Sequence, residues 1–246
     1  MGLWSALIPL WLAQLATARV GVPFDHLQPE IPVSLSPYEF LVNRALFGHH
    51  ASPVFGMRTG EKGMAVIQEP NDGGLQFFAV AMKIQVPIWL QMTKSFPRPD
   101  GAIPGEELAV LSNIDTRIEI SRRQLSSLLA CHLDGLWRTA LQDVHSAKDE
   151  LIRADGTTYH FFGNSAGWAW SPRSGTRMAQ LVKLAMSLGA YADGRDSASS
   201  VTDLESQIRK TADVFEVNVE SFQEEHLLSS ACWSLKHSLL SQPLDR

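Results

Sequence analysis

The chain has 246 residues, with 21 basic and 26 acidic side chains and a formal net charge of −5. That length suits one domain, or one domain with an appendage, and buries roughly 70–75% of the unfolded surface, so a core needs no disulfide to form. Mild acidity, with no basic cluster denser than Arg122-Arg123, argues against nucleic acid as a partner.

The first element reads as an export signal. Residues 3–15 are an almost uninterrupted apolar run, and Ala16-Thr17-Ala18 follows as a small-x-small cleavage pattern. A membrane span needs about 20 apolar residues; this run is shorter, and Pro9 and Gln14 interrupt it. Its n-region, Met1-Gly2-Leu3, lacks Lys and Arg, which is its one departure from the signal pattern. Residues 1–18 are expected to be removed, leaving Arg19 as the mature start in the periplasm or outside the cell. No later segment is apolar and long enough to span a bilayer.

Residues 19–35 are proline-punctuated and extended. Ser36-Pro37-Tyr38-Glu39 then places an N-cap, a proline at N1 and a capping-box glutamate, predicting a helix that stops at Gly48. Strand patterns follow at 53–58, 64–68 and 75–85. Gly60-Glu61-Lys62-Gly63 and Asn71-Asp72-Gly73-Gly74 separate them as turns, so the three read as an antiparallel meander. A short helix or turn at 87–93 and a loop at 96–106 lead to a strand over 108–120. Ser121-Arg122-Arg123-Gln124 reads as a second capping box, opening a long helix to about Val144. Its apolar stripe is Leu125, Leu128, Leu129, His132, Leu133, Leu136, Ala140 and Val144. Residues 157–162 and 167–171 form an aromatic hairpin with Tyr159, Phe161, Trp168 and Trp170. Ser174 or Thr176 caps a helix to about residue 192. A polar linker at 193–200 precedes helices at 202–215 and 221–240.

This order predicts an α+β fold, a mainly antiparallel sheet of meander plus aromatic hairpin packed against helices. The organisation is a signal peptide at 1–18, an α+β domain at 19–195 and a helical C-terminal segment at 196–246 packed on the same domain.

Cys131 and Cys232 are the only cysteines. In an oxidising compartment a bridge between them is the expectation, tying the middle helix to the last one; the alternative is two buried thiols acting as small apolar residues. No N-x-S/T sequon occurs, which fits a bacterial periplasm better than a eukaryotic secretory route.

Three features carry candidate chemistry. Gly163-Asn164-Ser165-Ala166-Gly167 matches the G-x-S-x-G nucleophile elbow, with Asp193, Asp196, Asp203 or Asp213 and His226 or His237 as partners to Ser165. An elbow needs a helix straight after the serine. Trp168-Ala169-Trp170-Ser171-Pro172 continues as strand instead, so a hairpin loop is the expected setting. The histidines lack metal-ligand spacing, and no metal or cofactor is expected; adjacent His49-His50 and Glu224-Glu225-His226 do not meet the spacing rules. His132 reads as a core residue. His160, on a strand face with Thr158 and Phe162, reads as a hydrogen-bonded structural histidine or a base in a cleft. Trp168 and Trp170 share one strand face, as core under the 176–192 helix or as a surface recognising a sugar or protein. The resulting expectation is an exported, non-enzymatic binding or interaction module for an unknown protein or small ligand; the alternative is a secreted serine hydrolase.

Overall fold

A computed structural model describes residues 27–29, 37–47, 53–72, 74–95, 114–144, 156–194 and 200–222. Within them the chain runs β1 (Gln28–Pro29), α1 (Pro37–Phe47), β2 (Pro53–Thr59), β3 (Lys62–Asn71), β4 (Gly74–Ile84) and α2 (Ile88–Ser95). It continues through β5 (Ile118–Leu125), α3 (Ser127–Gln142), β6 (Thr158–Phe162), β7 (Ala166–Trp170), α4 (Arg177–Asp193) and α5 (Val201–Phe215), and then a 3-10 turn at Val219–Ser221. The strands form one sheet in the order β1-β7-β6-β2-β3-β4-β5, and every neighbouring pair is antiparallel. The meander is β2 to β5, and the β6-β7 hairpin adds to its β2 edge. The fold is α+β.

Alternation along the strands sends side chains to two cores. Phe55, Met57, Met64, Val66, Phe77 and Ala79 meet the apolar stripes of α3, α4 and α5 on one face. Ala65, Ile67, Val80, Met82 and Ile84 meet Leu41, Val42, Ala45 and Leu46 of α1 and Ile88 of α2 on the other. Each large apolar side chain buried this way contributes roughly 1.5–3 kcal/mol. Trp137 of α3 lies between Phe55 and Phe161, with ring centroids at 5.1 and 5.8 Å. Among the described residues its indole N–H finds no acceptor.

Turns and caps follow local chemistry. The β2-β3 connection is the two-residue turn Gly60-Glu61, closed by the Thr59–Lys62 pair, and Gly60 takes a φ of 50°, which favours glycine. Lys62 and Gly63, read from sequence as turn residues, already belong to β3. Thr176 is the cap of α4, its Oγ1 accepting from the Ala179 amide at 3.2 Å. Gly194 ends that helix in the left-handed region. α2 is latched to the segment entering β5: Gln91 donates to the Asp115 carbonyl at 2.8 Å and accepts from the Asp115 amide at 2.6 Å. Hydrogen bonds from the Arg117 guanidinium and amide hold the exposed Asp115 carboxyl below the usual carboxylate range.

One expected boundary is overturned. Residues 121–124 are strand, not the first turn of a helix, and residues 114–117 precede the strand rather than belong to it. The cause is side-chain packing. Arg122 lies 3.9 Å over the Phe78 ring and pairs with Glu69 at 2.8 Å, while Arg123 covers Tyr191 at 4.5 Å on the other face. The helix starts five residues later, where the Ser126 hydroxyl accepts from the Leu129 amide at 3.2 Å. The signal segment 1–18, the loop at 96–106 and the helix expected at 221–240, apart from Ser221 and Phe222, lie outside the described residues.

Candidate ligand-binding cavity

β2 ends, β3 begins, β4 ends and β6 begins at one end of the sheet. There the structure forms a cavity of about 580 Å³. Its lining includes Arg58, Lys62, Lys83 and His160, together with Glu61 and the hydroxyl residues Thr59, Thr157 and Thr158.

Strand register explains how residues distant in sequence arrive here. One cross-strand row runs Gln28, Trp168, His160, Arg58, Gly63, Met82, Ile120 over all seven strands. Paired residues in antiparallel strands share a face, so Trp168, His160 and Arg58 stand side by side on the α1 face. Gly63 continues the row beneath the Phe47 ring, where a Cβ would come within 3.0 Å of it. Arg58 is buried, at 3% exposure, and its guanidinium donates to the Gly60 carbonyl at 3.3 Å. The neighbouring row is Tyr159, Thr59, Lys62, Lys83, Glu119. It sets two exposed lysines, Lys62 and Lys83, directly opposite each other. This row stands on the opposite, α4 face, where Glu119 and Asp193 line a second cavity together with both lysines.

The cavity wall is fixed by its own bonds. Glu61 accepts from the Trp89 amide at 2.8 Å and so joins the β2-β3 turn to the start of α2. Ser171, a non-glycine residue at φ 37°, closes the hairpin mouth: its amide donates to the Thr157 carbonyl and its hydroxyl accepts from the Thr157 amide, both at 2.8 Å. Gly156 lies against the Trp170 indole so closely that a Cβ would overlap the ring.

The residues singled out from sequence fall in different places. Ser165 is exposed at the tip of the β6-β7 hairpin, with strand on both sides, and its hydroxyl donates to the Leu141 carbonyl at 3.1 Å. Asp193 accepts from Ser121 at 2.7 Å, and Asp203 is held by Ser200 at the start of α5. Asp213 is exposed near the end of α5. Asp196, His226 and His237 lie outside the described residues, as do His49, His50 and Glu224-Glu225. Trp168 and Trp170 are half-buried and face away from the α4 core, which takes Ala169 between them. Cys131 is fully buried in α3, and there is no free cysteine among the described residues; Cys232 lies outside them. His132 is half-buried on α3, and desolvation lowers its pKa from 6.5, with Arg209 adding to this and Glu220 and Glu205 opposing it. Among the described residues no group of three or more His, Cys, Asp or Glu is arranged to hold a metal ion, and no helix is long and apolar enough to cross a membrane.

Sequence patterning singled out His160 and Trp168 but missed Arg58, Lys62 and Lys83. Each is an ordinary charged residue locally; only the register of β2, β3 and β4 gathers them. No protein-family model, curated protein or solved structure matches this chain.

Proposed function

We propose that the chain is an exported, non-enzymatic binding protein whose small ligand sits in the cavity at the end of the sheet. The observation that carries this reading is the cavity itself: its volume of about 580 Å³ falls within the roughly 300–1,000 Å³ of small-molecule sites, and polar residues make up much of its lining. Trp168 extends the row beyond His160 and offers an aromatic surface on the same sheet face. Export is supported by the apolar run and small-x-small pattern of residues 1–18. It is also supported by Cys131, which is not a free thiol in a chain with one other cysteine. A Cys131–Cys232 bridge belongs to an oxidising compartment.

Ligand-observed NMR with a fragment library tests the binding role. Hits are expected with the wild type and lost in Thr158→Trp, which fills the cavity from β6. Hits that survive in that variant, or no hits with folded protein, would remove the reading. Cell fractionation and N-terminal sequencing test export; the expected mature start is Arg19.

A further inference from the structure

We infer that the sheet edge formed by β5 pairs with β5 of a second copy of this chain, antiparallel and in one register centred on Ser121. Among the described residues β5 has a single strand neighbour, β4, and it closes the sheet on that side. It runs eight residues without proline and without a shift of register, whereas the opposite edge, β1, is two residues ending in Pro29. A long, regular edge is a template for another strand. One hydrogen bond fixes which backbone groups face out. The Gln85 amide donates to the Arg117 carbonyl at 2.9 Å, so Arg117 and, by alternation, Glu119, Ser121 and Arg123 turn their backbone groups toward β4. Ile118, Ile120, Arg122 and Gln124 turn theirs outward. The Tyr191 hydroxyl agrees with this alternation, donating to the Gln124 carbonyl at 2.7 Å.

The side chains select the partner and the register. With Ser121 on a twofold axis, Ile120 meets the second copy's Arg122 and Ile118 meets its Gln124, so the outward-facing residues pair with one another. The same register sets Glu119 opposite the second copy's Arg123, twice over by symmetry. Both residues are exposed and stand on the α4 face, where opposite charges directly across two strands are stabilising. Within its own chain Glu119 stands opposite Lys83 and Arg123 covers the Tyr191 ring at 4.5 Å; the second copy adds a neighbour on the open side. Arg122 falls diagonal to the second copy's Arg122, and each brings its own counterion, Glu69 at 2.8 Å. The adjacent registers are worse. An axis at Ile120 opposes Arg117 to Arg123, and an axis at Arg122 opposes that arginine to itself. Exposed apolar side chains flank the edge on both faces: Ile120, 44% exposed, on the α1 face, and Met186, 50% exposed, beside Glu119 and Ser121 on the α4 face. A strand edge alone is a small interface, so the pairing is a reversible one.

Sedimentation equilibrium of the full chain from micromolar to millimolar concentration tests this. A monomer–dimer equilibrium is expected. Each charge reversal acts twice in a twofold pair, so Glu119→Arg or Arg123→Glu alone weakens self-association by about tenfold. Mixing the two single variants restores dimers, because every cross-edge pair in the mixed dimer is again Arg against Glu. Damage to the fold of either variant cannot produce that recovery. The doubly reversed chain, Glu119→Arg/Arg123→Glu, also dimerises. A chain that is monomeric throughout overturns the inference. So do dimers that neither reversal weakens, and a mixture that associates no better than its components. In a monomeric chain, saturable shifts of the β5 amides with an unrelated extended peptide would overturn the second copy as occupant in favour of strand addition by another partner.

Discussion

Cys232→Ala removes the only possible intramolecular partner of Cys131, and the size of its effect follows from chain geometry. The proposed bridge closes a loop of roughly 100 residues, for which the chain-entropy relation gives about 4.7 kcal/mol at 25 °C. Cys131 is fully buried in the α3 core, so a freed thiol there is tolerated as a small apolar group and the loss is chiefly loop entropy. The expected destabilisation is about 3–5 kcal/mol, or roughly 10–15 °C in Tm. Urea unfolding of the wild type, Cys131→Ala, Cys232→Ala and the double variant is the assay, with and without reductant. A shared bridge makes the single effects non-additive: once Cys131 is gone, Cys232→Ala costs nothing further. Reductant lowers the wild type and leaves the variants unchanged. Additive single effects, or a wild type indifferent to reductant with two free thiols by mass spectrometry, would refute the bridge and weaken the export argument with it.

Trp137→Ala is expected to cost about 3–5 kcal/mol, since it empties a site packed by Phe55 and Phe161. Trp137→Phe costs under about 2 kcal/mol in the same unfolding assay, because it also removes a buried N–H whose missing partner costs roughly 1–3 kcal/mol. Ser165→Ala changes stability by less than about 1 kcal/mol, as it removes one part-buried hydrogen bond to Leu141. A fluorophosphonate probe labels neither that variant nor the wild type; serine-dependent labelling would instead revive the hydrolase alternative. Burial lowers the His132 pKa in the folded state, so the native protein holds fewer protons there than the unfolded chain. Stability therefore falls as pH drops below the unfolded value of about 6.5, and His132→Gln flattens that part of the profile.

The sequence made the meander and the hairpin legible because their signals are local. Gly60 and Asn71-Asp72 mark turns, and alternating apolar residues give β2, β3 and β4 their faces. The start of α3 was misread for a physical reason. Ser121-Arg122-Arg123-Gln124 has capping-box chemistry, but Phe78 and Tyr191, on distant elements, hold the two arginines in a strand. The candidate cavity was hardest to see. Its Arg58, Lys62 and Lys83 come from three strands, and nothing short of the register Arg58–His160 and Lys62–Lys83 brings them together. His160 and Trp168 stood out as residue types, and the sheet supplies their company.

Amide chemical-shift mapping of isotope-labelled protein during titration with a fragment hit tests the central claim most directly. The account predicts saturable shifts at Thr59 to Lys62, at Lys83 and Ile84, and at Gly156 to His160, with the hairpin tip at Ser165 unmoved. Shifts scattered over surface lysines and arginines, or centred on the Ser165 loop, would contradict it.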